Sequence, residues 1–337
     1  MATRQHPVLG LDIGGTKLAV GVLGADGRLS GFEVAPTRRD DGPARVLERL
    51  FALGRKAVAE AGLGPPEAVG ISCGGPLDAA RGVLSSPLHL PGWLDVPVVS
   101  LAAAAFGVPA ALENDATAAA LGEYRFGHGR SLPAGRGTLV YLTLSTGVGG
   151  GAVVDGRLHR GAAGNGGEFG HLVVRPGGRR CLCGRHGCLE RYASGPSIAE
   201  RAAEALATVP DSRLAGRLPL RAEDVVAAAA AGDPLAGRVW GETTDLVAEA
   251  LTDLVNVFEP DLLVLGGGVA RAGDALLRPV SRAVLAAAMP PAAAAVRLEL
   301  SSLGDAVGVV GAAAVALDHL TRRPAPRPRE PTQSLHA

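Results

Sequence analysis

Short apolar runs along the chain predict β-strands, each of which ends in a glycine-rich or polar turn. Residues 8–13 lead into Gly-Gly-Thr-Lys and then into a second apolar run at residues 18–23. Residues 68–72 end in Cys-Gly-Gly-Pro, and residues 108–112 end in Glu-Asn-Asp. Such runs, bounded by turn residues, are typical of buried strands. Because ligands gather at the carboxyl ends of strands in open α/β sheets, we expect a binding site at these turns.

The same order of strand, turn and strand recurs in the second half of the chain. Residues 139–151 read LVYLTLSTGVGGG, and the apolar run 261–265 leads into three consecutive glycines at residues 266–268. Residues 296–300 are predicted to form a last strand. The recurrence predicts an α/β protein whose two halves are internally duplicated.

Helical spacing of apolar residues predicts the main helices and, with the strands, the domain organisation. The predicted helices are residues 42–61, 236–258 and 307–317. The predicted lobes are a small N-terminal α/β lobe (1–114) with the C-terminal helix 305–320 packed back on it, and a large α/β lobe (115–304). The tail 321–337 is rich in proline and polar residues, so we expect it to be disordered.

Composition restricts the class of partner more than it restricts the fold. The 337 residues are 47% hydrophobic, which is enough for one large or two medium domains. Lys and Arg number 33, as do Asp and Glu, so charge gives no reason to expect nucleic acid or an anionic membrane as a partner. The chain does not begin with an apolar segment and a cleavage site, and we expect a soluble cytoplasmic protein.

Three of the four cysteines lie in one short run, CLCGRHGCLE, ten residues after the histidine of Glu-Phe-Gly-His. Cys181, Cys183 and Cys188 with His171 form a set of three sulfurs and one nitrogen, the composition of a closed structural zinc site. The alternative is a group of buried or disulfide-paired thiols. Cys181 and Cys183 are too close in sequence for an easy bridge, and an odd trio cannot pair fully, so the spacing favours zinc.

Two carboxylates flank this predicted metal loop. Glu168 precedes His171 by three residues, and Glu190 follows Cys188 by two. A metal ion that fixes the loop would hold both carboxylates in place, and rigid acceptors of this kind suit the hydroxyls of a polyol. Solvated surface carboxylates are the alternative on sequence alone.

Three glycine turns follow predicted strands and offer backbone N–H groups to phosphate. They are residues 12–17 (Asp-Ile-Gly-Gly-Thr-Lys), 145–151 (Ser-Thr-Gly-Val-Gly-Gly-Gly) and 266–268. A Walker loop and a dinucleotide Gly-x-Gly-x-x-Gly loop are both absent from the first turn, and one such turn alone would be ordinary hairpin chemistry. Three turns in two halves indicate a nucleotide bound between lobes.

The Glu-Asn-Asp sequence that ends at Asp115 supplies a candidate base. Beside phosphate-binding turns, Asp115 can accept the proton of a substrate hydroxyl that attacks a γ-phosphoryl group, and Asn114 can hold a neighbouring hydroxyl. The alternative is that Asp115 is an ordinary N-cap of the helix-like segment that follows.

Six motifs occur in the order LGLDIGGTK, ENDA, LSTGVGGG, GEFGH, CLCGRHGCLE and LVLGGGV. Together they resemble the ROK family of sugar kinases and sugar-responsive repressors, over residues 8–317. The resemblance implies the actin-like ATPase (ribonuclease H-like) duplicated fold, with two lobes and a cleft between them. It also implies an ATP-dependent hexose kinase that is a homodimer or homotetramer.

The resemblance implies roles for individual residues as well. ATP, with magnesium at its phosphates, would lie against Asp12, Gly14, Gly15, Thr16, Lys17, Thr146, Gly147 and Gly267. The sugar would lie against Gly75, Asn114, Asp115, Glu168, His171 and Glu190, with Asp115 as the catalytic base. Zinc would be held by His171, Cys181, Cys183 and Cys188 and would support the sugar site without contacting phosphate.

One loop departs from the family pattern. Many sugar-phosphorylating members have an asparagine before the tryptophan of this loop, where this chain reads Pro-Leu-His-Leu-Pro-Gly-Trp with His89 at the third position. That asparagine helps to hold the sugar, so the identity of the sugar stays open. Cys73 lies outside the predicted metal set, and we expect it to be a buried thiol.

Several functions are compatible with these motifs. The first is phosphorylation of a hexose at its 6-hydroxyl, with glucose as the leading substrate and N-acetylmannosamine or N-acetylglucosamine as alternatives. A non-catalytic sugar-responsive repressor would need a DNA-binding module, and only eleven residues precede Asp12. A degenerate sugar-binding module would predict loss of Asp115 or Lys17, and both are present. The sequence leaves open whether ATP or polyphosphate is the preferred donor.

Overall fold

The computed structural model describes residues 7–133, 135–209, 211–217 and 219–321. Of the tail predicted to be disordered, residues 322–337 lie outside the described part of the chain. The elements of the first half are β1 (Val8–Ile13), β2 (Lys17–Leu23), β3 (Leu29–Pro36), α1 (Gly42–Ala61), β4 (Val69–Cys73), β5 (Leu77–Asp78), β6 (Val83–Leu84), α2 (Val98–Phe106), β7 (Ala110–Asn114) and α3 (Asp115–Phe126).

The elements of the second half follow the same logic of a hairpin and then parallel strands. They are β8 (Leu139–Leu144), β9 (Val148–Val154), β10 (Arg157–Leu158), α4 (Glu190–Ala193), α5 (Gly195–Leu206), α6 (Ala222–Ala230), α7 (Pro234–Phe258), β11 (Leu262–Gly266), α8 (Asp274–Ala287), α9 (Pro290–Ala295), β12 (Arg297–Leu300) and α10 (Val307–Thr321). Short 3-10 helices include Phe169–His171 and Gly268–Ala272.

The two large sheets have the same topology. In the first sheet the strand order is β3-β2-β1-β4-β7, and in the second it is β10-β9-β8-β11-β12. In each sheet the first three strands along the chain pair antiparallel, and the remaining two add in parallel. The internal duplication and the α/β class predicted from the sequence are therefore confirmed.

Most predicted elements lie within one or two residues of their observed positions. The strands predicted at residues 68–72 and 108–112 are observed as β4 and β7, and the last helix continues to Thr321. The sequence did not predict β3, whose residues are all at least partly exposed because it is the edge strand of its sheet.

Helices α3 and α10 lie between the two sheets. Helix α10 packs against β1 and β4 of the first sheet, α3 packs against β8 and β9 of the second, and the two helices pack on each other. Glycines permit the close approach, since a Cβ atom on Gly70 of β4 would collide with the Ala312 carbonyl of α10. The C-terminal helix is thus in contact with the N-terminal sheet, while the boundary between the lobes at residues 114 and 115 stays a prediction.

Hydrophobic cores cover the outer faces of both sheets. Helices α1 and α2 and the loop around Trp93 form one core with the first sheet, and α4 to α8 form the larger core with the second. Among the described residues, no helix is both long and apolar enough to cross a lipid bilayer.

The parallel strands of each sheet end at one edge, and this edge positions the candidate site. Ile13 of β1 pairs with Cys73 of β4, and Cys73 pairs with Asn114 of β7. In the second sheet, Thr143 of β8 pairs with Gly266 of β11. The turns that follow these residues are the ones in which the sequence places its candidate residues.

Candidate active site and metal centre

The first glycine turn is tied down by hydrogen bonds to its own hairpin. Gly14 N donates to Lys17 O at 3.0 Å, and the Thr37 hydroxyl donates to Gly14 O at 2.6 Å. Thr16 and Lys17 are exposed at the surface of this turn. The turn therefore presents a hydroxyl and an ammonium group from a fixed backbone, as phosphate binding requires.

Asp12 lies at the end of β1, directly before this turn. Its Oδ1 atom accepts a hydrogen bond from the Ser72 hydroxyl at 2.7 Å. Burial raises the pKa of Asp12 to about 6; the Ser72 hydrogen bond opposes this shift, the charge of Asp115 adds to it, and Lys17 opposes it. A cation placed beside these carboxylates would relieve the cost of ionising Asp12.

Asp115 is the first residue of α3 and lies at the same sheet edge. Asn114, not Asp115, is the N-cap, because its Oδ1 accepts from Ala116 N at 3.0 Å and from Thr117 N at 3.2 Å. The ordinary capping role considered as an alternative for Asp115 thus falls to its neighbour. The capping bonds use Asn114 Oδ1, so a contact with a ligand hydroxyl would fall to its Nδ2 group.

The protein around Asp115 controls its protonation while leaving the side chain open to solvent. Burial by neighbouring groups raises its pKa, whereas the Ala116 N–H group and the nearby His89 lower it. A Cβ atom on Gly74 would lie 3.7 Å from Asp115 Oδ2. Gly74 and Gly75, which follow β4, therefore leave space next to this carboxylate.

His89 lies against the first glycine turn. A Cβ atom on Gly15 would lie 2.6 Å from the Cβ atom of His89. The loop that carries His89 is fixed by Leu88 N, which donates to Gly75 O at 3.2 Å. The residue that departs from the family pattern is therefore at the candidate site and not in a remote surface loop.

The second glycine turn opens onto a cavity of about 710 Å³. Its walls are mostly apolar, and they come from four parts of the second half of the chain. They include Ser145, Thr146, Pro196, Val226, Val269 and Arg271. This volume is in the range of about 300–1,000 Å³ that small-molecule and cofactor sites occupy.

Gly267 connects β11 to the floor of this cavity. Its φ of +86° lies in the region that favours glycine, and a Cβ atom there would overlap the Leu144 carbonyl oxygen. The backbone at Gly267 therefore turns sharply next to the end of β8. Gly268 and Val269, which follow this turn, line the cavity together with Ser145 and Thr146.

The two carboxylates predicted to bind a polyol lie near the start of β9. Glu190 Oε2 accepts from Val148 N at 3.0 Å. Glu168 directly precedes Phe169, whose ring packs on Gly150 of β9. On the other side of β9, Gly149 packs against Ala116, the neighbour of Asp115. The start of β9 thus binds Glu190 directly, and it contacts the segment of Glu168 on one side and the helix that begins at Asp115 on the other.

The four predicted metal ligands form one cluster. One ligand atom from each of His171, Cys181, Cys183 and Cys188 lies within 4.8 Å of every other. Cys183 Sγ and Cys188 Sγ are 3.6 Å apart, as are Cys181 Sγ and His171 Nδ1. Sulfurs bound to one zinc at about 2.3 Å would be about 3.8 Å apart, and a disulfide bond would need about 2.05 Å.

His171 connects the cluster to a predicted sugar ligand. Its Nδ1 faces Cys181, and its Nε2 lies 3.9 Å from Glu168 Oε2.

Cys73 is not part of the cluster. It is buried at the end of β4, where burial and the nearby Asp115 and Asp12 raise the pKa of its thiol. The expectation of a buried thiol at Cys73 is confirmed.

Local hydrogen bonds shape the loop that carries the cysteines. Cys181 N donates to Arg185 O at 2.8 Å, and Gly184 N donates to Cys181 O at 3.1 Å. Gly184 and Gly187 have φ values of +89° and +83°, which let the loop reverse twice within seven residues. The reversals bring the three sulfurs to one side of the loop.

Sequence reasoning missed a buried ion pair directly behind the candidate base. Glu113 is completely buried, and its Oε2 accepts from Arg160 Nε at 2.7 Å. Arg160 also lies 3.3 Å from Asp318 of α10. Glu113 belongs to the Glu-Asn-Asp motif, which was a signal, but no local pattern relates it to an arginine 47 residues away.

Comparisons with known proteins agree with this geometry. The model of the ROK family matches residues 8–319. A glucokinase of Thermotoga maritima is 34% identical over 319 residues, which are 93% of this chain and 98% of that protein. An N-acetylmannosamine kinase of Escherichia coli O1:K1 is 33% identical over 91% of this chain and 97% of its own length.

Solved structures give the same result. The ROK hexokinase of Thermus thermophilus superposes with a TM-score of 0.77 at 38% identity, covering 93% of this chain and 99% of that one. A ROK family glucokinase of Streptomyces griseus, in complex with glucose and AMPPNP, gives a TM-score of 0.76 at 32% identity, with coverage of 93% and 99%. The actin-like ATPase fold predicted from the sequence is confirmed, and the chain belongs to the ROK family.

Proposed function

We propose that the protein is an ATP-dependent hexose kinase that phosphorylates the 6-hydroxyl of its sugar, with glucose as the leading substrate. The observation that carries the proposal is the position of Asp115, whose exposed carboxylate lies beside Gly74 and close enough to Asp12 for the two charges to interact. The relatives named glucokinase and hexokinase support this assignment.

Asp115 acts as the catalytic base. The sugar hydroxyl oxygen attacks the γ-phosphorus of ATP, Asp115 takes the hydroxyl proton, and ADP leaves with the electrons of the broken phosphorus–oxygen bond. The raised pKa of Asp115 suits this task, because a carboxylate with a raised pKa is a better proton acceptor than an ordinary aspartate. The Gly74–Gly75 backbone leaves space for the hydroxyl beside it.

ATP is favoured over polyphosphate as the donor. The cavity beside Ser145 and Thr146 is large and mostly apolar, and an adenosine group would fill it, whereas polyphosphate has no apolar part to place there. Lys17 and Thr16 of the first turn and Thr146 and Gly147 of the second are the proposed phosphate contacts. Asp12 would hold magnesium, which when bound neutralises charge on the β- and γ-phosphates.

The Cys3His cluster fits zinc. Its ligand set leaves no vacant position for a reacting water, so bound zinc would supply structural rigidity and no chemistry. His171 would bind it through Nδ1 while its other nitrogen faces Glu168. Glu168, His171 and Glu190 are proposed to bind the sugar hydroxyls, together with Gly75 and Asn114.

The test is a coupled assay of ADP release with magnesium-ATP and a panel of sugars. The panel contains glucose, mannose, fructose, allose, N-acetylglucosamine and N-acetylmannosamine. Asp115→Asn is expected to lower kcat by about 10²–10⁴-fold, which is what positioned bases contribute. Glu48→Gln, an exposed carboxylate-to-amide change on α1, is the matched control. Turnover that survives in Asp115→Asn would show that another group takes the proton.

An N-acetylhexosamine kinase is the second candidate, because N-acetylmannosamine kinases are among the relatives that match most of this chain. The same panel separates the two activities, since both use one base and one donor site. A higher kcat/KM for an N-acetylhexosamine than for glucose would assign the protein to the second class.

A further inference from the structure

Glu190 is bound directly to the second glycine turn. Its Oε2 atom accepts from Val148 N at 3.0 Å, and Val148 is the first residue after Gly147. A Cβ atom on Gly147 would lie 2.8 Å from the same oxygen. A side chain at residue 147 would therefore displace this carboxylate, so the glycine makes the contact possible.

The turn is also held at its other end by the segment that carries Glu190. Gly195 N donates to Ser145 O at 2.8 Å, and Ser145 N donates to Gly147 O at 2.8 Å within the turn. Residues 190–195 thus contact the turn both before and after Thr146 and Gly147. Ser145 and Thr146 line the proposed nucleotide cavity, so the position of the turn affects that cavity directly.

On its other side, this segment is continuous with the loop proposed to bind the sugar. Leu189 N donates to Leu172 O at 2.8 Å, next to His171, and Arg191 N donates to Cys188 O at 3.0 Å. Glu190 therefore stands between two proposed ligand sites. Glu190 Oε2 accepts a hydrogen bond from the nucleotide turn, and Oε1 is left to accept a hydrogen bond from a sugar hydroxyl.

We propose that Glu190 is a positioning residue through which bound sugar strengthens binding of the nucleotide. A sugar hydroxyl on Glu190 would restrict the carboxylate to the orientation that binds Val148 N, and the turn would be ordered before the nucleotide arrives. Ordering that one ligand supplies lowers the cost of binding the other, which is positive coupling. This inference rests on the proposed kinase function, because it requires both ligands.

The experiment measures binding of magnesium-ADP by calorimetry, without and with saturating sugar. ADP permits binding without turnover. In the wild-type protein, sugar is expected to increase the affinity for ADP by about fivefold or more, the lower end of typical coupling between sites. Glu190→Ala is expected to weaken ADP binding several-fold even without sugar and to abolish the increase. Glu190→Gln, which keeps an oxygen acceptor, should lie between the two.

Glu48→Gln is the matched control, because it makes the same carboxylate-to-amide change at an exposed position of α1 that has no role in either proposed site. It should leave sugar affinity, ADP affinity and the increase of ADP affinity by sugar at their wild-type values. A purely structural role for Glu190 would be revealed by lost zinc or a lowered melting temperature in both Glu190 variants, so zinc content and Tm are measured for each. Lost zinc or a lowered Tm in both Glu190→Ala and Glu190→Gln would overturn the proposal.

Two other outcomes are distinguishable. A wild-type protein that binds no magnesium-ADP and phosphorylates no sugar would overturn the kinase function and this inference together. A wild-type protein that phosphorylates sugar, with Glu190→Ala binding ADP as tightly as wild type, would overturn only the role of Glu190.

Discussion

The hydroxyl of Ser72 influences the charge of the carboxylate at the end of β1. It donates to Asp12 Oδ1 at 2.7 Å and partly offsets the effect of burial, and the pKa of Asp12 is raised to about 6 with both effects included. Asp12 attracts a cation only when ionised, and the ionised fraction falls as the pH decreases through that pKa. The proposed magnesium-ATP reaction should therefore lose rate on the acid side of about pH 6.

Ser72→Ala is expected to shift this acid limb to higher pH. Without the donor, the ionised form of Asp12 is less favoured and its pKa rises further. A hydrogen bond to a charged group contributes about 1.5 kcal/mol, and about 1.4 kcal/mol corresponds to one pKa unit, so the limb should move by about one pH unit. Profiles of kcat/KM for magnesium-ATP measure the shift, with Ser72→Thr as the variant that keeps the hydroxyl. An unchanged limb in Ser72→Ala would assign it to another group.

At the scale of the elements, the loop between β10 and α5 combines the metal cluster with the proposed sugar ligands. Glu168 lies just before the segment 171–188 that carries the four metal ligands, and Glu190 lies just after it. The loop contains little regular structure, and many of its hydrogen bonds are local ones around Gly184 and Gly187. A metal ion would therefore contribute much of its rigidity.

Cys183→Ser is expected to lose zinc and sugar affinity together. A hydroxyl is a poor replacement for a thiolate ligand, so the variant should not retain zinc. Without the metal the loop would be more mobile and would no longer hold Glu168 and Glu190 in place, so the KM for sugar should rise by about tenfold or more. Metal analysis of the purified protein and sugar titrations measure the two effects. Cys73→Ser, at a cysteine outside the cluster, should keep the zinc. Normal sugar affinity in zinc-free Cys183→Ser would separate the loop from sugar binding.

The elements that the sequence predicted well are those whose signal is local. Buried strands such as β4 and β11 are continuous apolar runs, and the motifs that follow them identify the turns. Strand β3 was missed because an edge strand needs no such run. The sequence also missed contacts between distant segments, because such contacts produce no periodic pattern of residues. Examples are the hydrogen bond from Ser72 to Asp12, the packing of α6 against the cavity and the Glu113–Arg160 pair.

At the scale of the whole molecule, a group of buried and partly buried charges joins the two sheets to the central helices. Arg160 follows β10 of the second sheet, and Glu113 lies on β7 of the first. Asp318 of α10 contacts both Arg160 and Arg125 of α3. Gly166 N donates to Arg160 O at 2.8 Å, which closes the loop that leads to Glu168. Arg160 therefore contacts both β7, which precedes the proposed base Asp115, and the loop that leads to the proposed sugar ligand Glu168.

Arg160→Gln is expected to reduce both stability and turnover. It removes the arginine that donates to the completely buried Glu113 carboxylate, and removal of one partner from a buried pair costs about 3–5 kcal/mol, which the partial exposure of Arg160 reduces to about 2 kcal/mol. Urea unfolding measures this loss, and Arg278→Gln, which breaks an exposed pair on α8, should change stability by less than about 1 kcal/mol. Adding Glu113→Gln to Arg160→Gln also removes the buried carboxylate charge and should restore part of the stability. Turnover should stay low in the double variant, because two amides do not fix Asp115 relative to Glu168 as the ion pair does; recovery of kcat along with stability would show that the pair serves the fold alone.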